Sequence, residues 1–465
     1  MSTRALRPAL LAAPPGAAPA GATPPFATPA GAAASAPCPA AALSPRLFGL
    51  VLAGLLLRVC LSANLLAWLG IPYAQDGGNP LVKIHPGTYA VLLALGAEAR
   101  RGPLWSGGRV RPFLFLAALF LCALFGLAAI GPSGLAVYVD SYFCAGALAL
   151  LLARASAAQR RSLGRALFAA LVLSAALALG ETFAGAHLVP HMAEIVEQIQ
   201  AHPEEFRGLG LHDHPLVGAL ASMVALFLLP ALGLPRPVAW GGGLVLALSL
   251  LAFGGRAALA VTALAALFEA ARCLAARAAS RRLGPGTLLA ALTLPPLLGA
   301  LAWVLAGDTP LGQRLMLHLA VDDSVLARGA PLQVLGALDW RQALFGTSID
   351  ELRQILYQLS RAVPFTEIEN FWLATLVSLG AFGFVVLLAG FLPFLLWLWR
   401  WASRRGRLIL TTGLVVASAS NTLARKSDVL VLLVAAVLAT ARPPPGSAAE
   451  PGARPLRPGL AGAPA

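Results

Sequence analysis

Charge is what this sequence has least of. Only 12% of its 465 residues are Asp, Glu, Lys or Arg, where a soluble domain carries about 25%. So little charge excludes an ordinary water-soluble fold. Lysine occurs only as Lys83 and Lys426, and residues 319–465 contain no histidine. The five cysteines, Cys38, Cys60, Cys122, Cys144 and Cys273, have no paired or metal-type spacing. They give no sign of a disulfide framework, and no HExxH or Cys/His set is present, so neither metal nor cofactor is expected. Residues 1–45 lack a Leu-rich core long enough for a secretory signal.

What remains is apolar: 58% hydrophobic, with a mean hydropathy of +0.78. Runs near the ~20 residues that cross a bilayer recur between short Arg-rich or polar connectors. The expectation is an all-α, polytopic membrane bundle. Its spans fall at 47–70, 86–98, 112–131, 135–153, 165–181, 214–233, 237–254, 257–276, 286–306, 370–398, 408–420 and 428–441. That is about twelve helices; eleven, or a re-entrant pair at the end, is the alternative. The Ala/Pro/Gly-rich stretches 1–45 and 442–465 read as disordered tails around a bundle over 46–441.

The sequence pI of 10.8 raises a nucleic-acid reading, and the placement of the arginines removes it. They cluster at 100–111, 154–165, 272–282 and 400–407, each time between apolar runs, which the positive-inside rule makes cytoplasmic. The intervening connectors 71–85, 182–213 and 307–369 then face outward. Counted with the short outer connectors and the span ends Glu181, His214 and Asp428 beside them, they hold all seven histidines and sixteen of the twenty acids. Any chemistry is expected on that outer face. Two of its loops read as ordered: MAEIVEQIQAH repeats apolar residues at helical spacing, and Ser348 with Glu351 forms a capping box ahead of IDELRQILYQLSRA.

Three places concentrate candidate chemistry. In LAFGGRAALAVTAL, Arg256 sits at the outer end of two adjoining spans, where an unpaired charge costs at least about 2.5 kcal/mol. It either snorkels to the interface or binds an anion, most naturally a phosphate, which guanidinium matches bidentately. In RGLGLHDHP, Arg207 precedes His212, Asp213 and His214, and His214 opens the next helix at Pro215. His214 is a candidate general base or anion contact, or a hydrogen-bonded structural histidine. In FTEIENFWLATLVSLGAFGF, Glu367, Glu369 and Asn370 close the large outer loop. A carboxylate there either caps the helix or deprotonates a hydroxyl. Lys83 and His85 lie in GGNPLVKIHPGTY, an outer loop with a short half-helix. Arg58 and Asp140 sit inside spans, where charges face the bundle interior, and are candidates to pair with each other.

In order, RGLGLHDHP, GGRAAL, ALFGTS and ENFWLATLVSLGAFGF resemble motifs of the O-antigen ligase/polymerase superfamily over roughly residues 165–440, and NPLVKIHPGTY resembles its VpsF-like exopolysaccharide group. The resemblance implies a GT-C-like helical fold in the bacterial inner membrane, acting periplasmically on undecaprenyl-pyrophosphate-linked oligosaccharide without a metal. It also implies a chain-length regulator as a partner. On this reading Arg207 and Arg256 bind the pyrophosphate, with His212, Asn370, Lys83 and His85 as further substrate contacts. Glu369, His214 or Glu367 would deprotonate the acceptor. Ligases of the family close the large loop on a His where this chain has Glu369, which favours a Wzy-type polymerase. An O-antigen ligase and a transporter or flippase of lipid-linked sugars are the alternatives.

Overall fold

A computed structural model describes residues 42–74, 79–104, 109–129, 135–188, 206–280, 284, 332–360, 368–424 and 426–441. The expected span 286–306, the amphipathic MAEIVEQIQAH helix and Glu367 lie outside these residues, as do nearly all of both expected tails.

The described secondary structure is helical. In chain order it comprises α1 (Pro45–Cys60), α2 (Ala63–Trp68), a 3-10 turn (Pro80–Lys83), α3 (Pro86–Ala99), α4 (Val110–Ala129), α5 (Leu135–Val137), a π-helical turn (Tyr138–Phe143) and α6 (Cys144–Leu152). Then follow α7 (Ala157–Ala184), α8 (Pro215–Leu228), α9 (Arg236–Phe253), α10 (Arg256–Ala279), α11 (Gln333–Ala337), α12 (Trp340–Phe345), α13 (Ile349–Ser360), α14 (Phe371–Trp401), α15 (Arg404–Ser418) and α16 (Val429–Ala439). Five of them, α4, α7, α9, α10 and α14, are long and apolar enough to cross a membrane. Tyr138–Leu152, Pro215–Ala231 and Val429–Ala439 are shorter apolar helices. The protein is thus a helical membrane protein.

The helix starts are written locally. Pro follows the cap residue at Ser44, His85 and His214, where its missing N–H is no loss. Ser156 and Gln159 complete a reciprocal capping box on α7. The expected Ser348–Glu351 box is present at α13, whose Leu356 is buried. Two expectations change. The run 47–70 is not one span: α1 stops at Cys60 and Ser62 caps a new helix through the Leu65 N–H. The expected span 165–181 starts earlier, because the capping box lets α7 take in Arg160 and Arg161.

All nine residues of α6 and residues 429–438 of α16 are buried. Helices apolar on every side belong in the middle of a bundle, and these two pack on each other, with α3 and α4 against α6 and α7, α8 and α15 against α16. Lipid offers helices no hydrophobic drive to associate, so close packing and polar contacts must hold the bundle. Small residues provide the first: Gly87 of α3 lies against the backbone of Gly54 in α1.

The two ends of the bundle differ. At one, arginine-rich connectors meet each other: Arg154 pairs with Glu98, Gln159 Nε2 donates to Leu43 O at 2.9 Å, Arg165 Nε donates to Leu232 O at 3.1 Å, and Arg404 pairs with Glu269. At the other gather His85, His187, His212 and His214.

Candidate functional site

The histidine-bearing end is organised by the loop 206–214, and the loop by one carboxylate. Glu181, near the end of α7, accepts the Leu209 and Gly210 N–H groups at 2.7 and 2.9 Å on Oε2 and the Leu188 N–H at 3.1 Å on Oε1. Ser174 Oγ takes the Leu211 N–H at 3.0 Å. Gly208 and Gly210 sit so close to the backbone of Ala178 and Ser174 that a Cβ at either would collide with a carbonyl oxygen. The RGLGL spelling is the consequence of laying a loop directly on a helix. Sequence reading did not pick out Glu181. Its signal was an acid at the outer end of a span, 26 residues before Arg207.

The same loop reaches the turn between α9 and α10. Gly208 N donates to Ala252 O at 3.1 Å. Gly254 ends α9 with φ +64, and a Cβ there would lie 3.4 Å from Cδ and Nε of Arg207. Arg207 therefore lies across the Gly254–Gly255 turn, and Arg256 is the first residue of α10 beyond it. The two arginines singled out in separate motifs share one turn, each half-buried.

Beyond Leu211 the loop enters a polar cluster. His212 is buried, its ring edge-on to Phe253 at 6.1 Å and its Nδ1 4.0 Å from Asp428 Oδ2. Burial lowers its pKa, against the opposing pull of Asp428. Asp213 accepts the Ala63 N–H at the start of α2. Its neighbours' exclusion of water, then the charge of Asp428, push its carboxyl up to about 6. His214 caps α8, its Nδ1 accepting the Leu216 N–H at 3.2 Å.

Below this layer, Asp140 accepts two hydrogen bonds, from Tyr73 OH at 2.7 Å and His85 N at 3.0 Å, and pairs with Arg58 at 3.6 Å. The expected pairing of Arg58 with Asp140 is found. Arg58 also donates to Ser427 O at 3.0 Å, tying α1 to the loop before α16. His85 caps α3 through Nδ1, which accepts the Gly87 N–H at 3.0 Å; its Nε2 then carries the proton and donates to Leu61 O at 2.7 Å. Lys83 Nζ donates to Pro72 O at 2.7 Å, and Lys426 Nζ reaches Tyr73 O and Lys83 O at 3.1 Å while lying 4.5 Å over the Tyr73 ring. A cavity of about 20 Å³ remains among Arg58, Ser62, His85, Asp213, Lys426 and Asp428. Tyr73, Ser427 and Asp428 were not foreseen; only the fold brings them to His85.

A third element stands nearby. Asn370 caps α14, accepting the Leu373 N–H at 3.0 Å, and the preceding Glu369 is exposed. α14 is interrupted at Gly380, where φ is +66 and ψ 174. Into that break fits Gly346, itself at φ +92, and the adjoining Thr347 donates both N–H and hydroxyl to Val377 O, at 3.0 and 3.1 Å. The glycine of ALFGTS and that of LVSLGAFGF thus form one joint. Ala424, in the loop before α16, packs beside Leu373, Ala374 and Val377. That loop therefore touches both the α14 end and the Arg58 cluster. No protein-family model matches the chain, and a search of curated proteins finds no similar sequence.

Proposed function

We propose that this protein is a polysaccharide polymerase of the Wzy type. It would transfer an undecaprenyl-pyrophosphate-linked glycan onto a lipid-linked repeat unit, at the periplasmic face of the bacterial inner membrane. The observation that carries the reading is the shared turn of Arg207 and Arg256 at the histidine-bearing end. The donor's anomeric carbon is bonded to a pyrophosphate, and the reaction runs as fast as the charge left on that group is stabilised. Two guanidinium groups on one rigid turn, half-buried at a membrane edge, suit that task.

The acceptor hydroxyl must lose its proton as it attacks. Glu369, exposed ahead of α14, and His214 are the bases the sequence offers, although His214 already spends Nδ1 on its cap. Support for a polymerase over a ligase is the Glu369–Asn370 pair where ligases of the resembled family carry His.

The test is loss of the protein in cells that make the polymer, with lipid-linked glycans analysed afterwards. Single repeats accumulating on the outer leaflet are expected. Long chains accumulating on the lipid would replace the reading with a ligase, and repeats stranded on the inner leaflet with a transporter.

A further inference from the structure

We propose that Asp213 is the catalytic base of this glycosyl transfer, and that the pocket behind it, floored by Arg58, receives the acceptor hydroxyl. The inference deepens the polymerase reading and rests on it. Arg58 has its side chain only 3% exposed and lines the cavity; its Nη1 pairs with Asp140 and its Nη2 donates to Ser427 O, but its Nε has no hydrogen-bond partner. Buried guanidinium N–H groups are seldom left unmet, so a polar oxygen belongs in that space. A volume of about 20 Å³ admits one water or one hydroxyl.

Asp213 stands at the mouth of this cavity, more than a third exposed and so open to an incoming sugar. Its carboxylate holds the α2 N-terminus through the Ala63 N–H, on Oδ1, and the Asn64 N–H; Oδ2 is the oxygen assigned to the proton. Glu369 lies outside the cavity's walls.

In the step, the acceptor oxygen forms its bond to the anomeric carbon as the bond from that carbon to the pyrophosphate oxygen breaks. Undecaprenyl pyrophosphate leaves with the electron pair beside Arg207 and Arg256. The acceptor proton passes to Asp213 Oδ2 and from there to solvent, so the carboxylate is regenerated.

Charged and titratable groups face Asp213 from several elements. Asp428, in the loop before α16, raises its affinity, whereas Arg58 from α1 lowers it. His85 at α3, His212 on the same loop, and Tyr73 and Lys426 from the facing loops complete the wall, with Asp140 beneath Arg58. Crowding by the surrounding protein, then the charge of Asp428, raises the carboxyl in the direction a base needs, with more than a third of the residue still meeting solvent.

The test separates the cap from the base, because Asn keeps an oxygen for the Ala63 N–H and cannot take a proton. Full-length protein in liposomes with lipid-linked repeats is assayed for chain elongation across pH. Asp213→Asn should lose about 100-fold or more while its melting temperature holds, and Asp213→Glu should recover part of the rate. Asp428→Asn should move the acidic limb of the pH profile to lower pH, since the repelling charge is gone. In parallel, infrared titration should show a carboxyl near pH 6 that vanishes in Asp213→Asn. Elongation by Asp213→Asn at the wild-type rate, or an acidic limb unmoved in Asp428→Asn, would overturn the assignment and leave the polymerase reading standing. A wild-type protein that elongates nothing would overturn both.

Discussion

Arg58 of α1 and Asp140 of the π-helical turn form an ion pair at 3.6 Å, with side chains 3% and 0% exposed. Asp140 adds the hydroxyl of Tyr73 and the N–H of His85, so one carboxylate gathers three segments. Removing either partner of a buried pair strands the other, at a cost of about 3–5 kcal/mol. Asp140→Asn and Arg58→Met should each lower the melting temperature of the detergent-solubilised protein strongly. The double variant Arg58→Met/Asp140→Asn should fall by less than the two losses added. Strictly additive losses in thermal unfolding would mean that the pair is not coupled.

Glu181 supplies the acceptor for three backbone N–H groups. Bonds to a charged acceptor contribute roughly 1.5–3 kcal/mol each, and here they hold Arg207 over the Gly254 turn. Glu181→Ala should free the 206–211 loop, and trypsin should cut after Arg207 faster than in the wild type. An unchanged cleavage rate there would show that Ser174 and the glycine contacts hold the loop alone.

At the joint of Gly346 and Gly380 both residues have positive φ, and a Cβ on either would collide with the other segment's backbone. Gly380→Ala should therefore destabilise by more than the ~1–3 kcal/mol of an ordinary strained position, with α12 and the Thr347 bonds to Val377 lost together. The check is hydrogen exchange at residues 340–348, expected to quicken in the variant. Ala at Gly126, which has open space around it, is the control.

His85 gives the pH dependence a sign. Burial, then the charge of Arg58, lowers its pKa to about 4, so the unfolded chain takes up its proton first. The stability His85 contributes is full above its ordinary value near 6.5 and is lost as pH falls toward 4, an amount on the order of 3 kcal/mol. Asp213 works the other way, its raised carboxyl gaining stability on acidification. The His85 share is therefore the difference between wild type and His85→Asn, which keeps a capping acceptor without titrating here. Melting temperatures from pH 7 to 4 should converge between the two proteins as pH falls.

Much of the fold was legible because its signals are local. The apolar runs 86–98, 112–131 and 237–254 correspond to α3, α4 and α9, and the Ser348–Glu351 box is where its spacing puts it. Arg58 and Asp140 could be paired from sequence because a charge inside a span has few other options. The breaks at Leu61 and Gly380 were missed, since hydropathy averages over a window and does not register one residue leaving the helix. Glu181, Ser427 and Asp428 were missed for another reason. Their partners lie on other segments of the chain, and nothing in the neighbouring residues announces that a loop will be laid there. Asn370 stood out as a substrate contact, and its side chain caps α14.

The central claim is that Arg207 and Arg256 together hold a donor pyrophosphate. The most direct measurement is chain elongation by purified full-length protein in liposomes carrying lipid-linked repeats, comparing wild type with Arg207→Ala, Arg256→Ala and the double variant. Elongation by the wild type is expected, with a fall of about 100-fold or more for each single variant and melting temperatures unchanged. Lys, which keeps the charge but not the fork, should recover part of the rate. A double variant that elongates at the wild-type rate would contradict the claim.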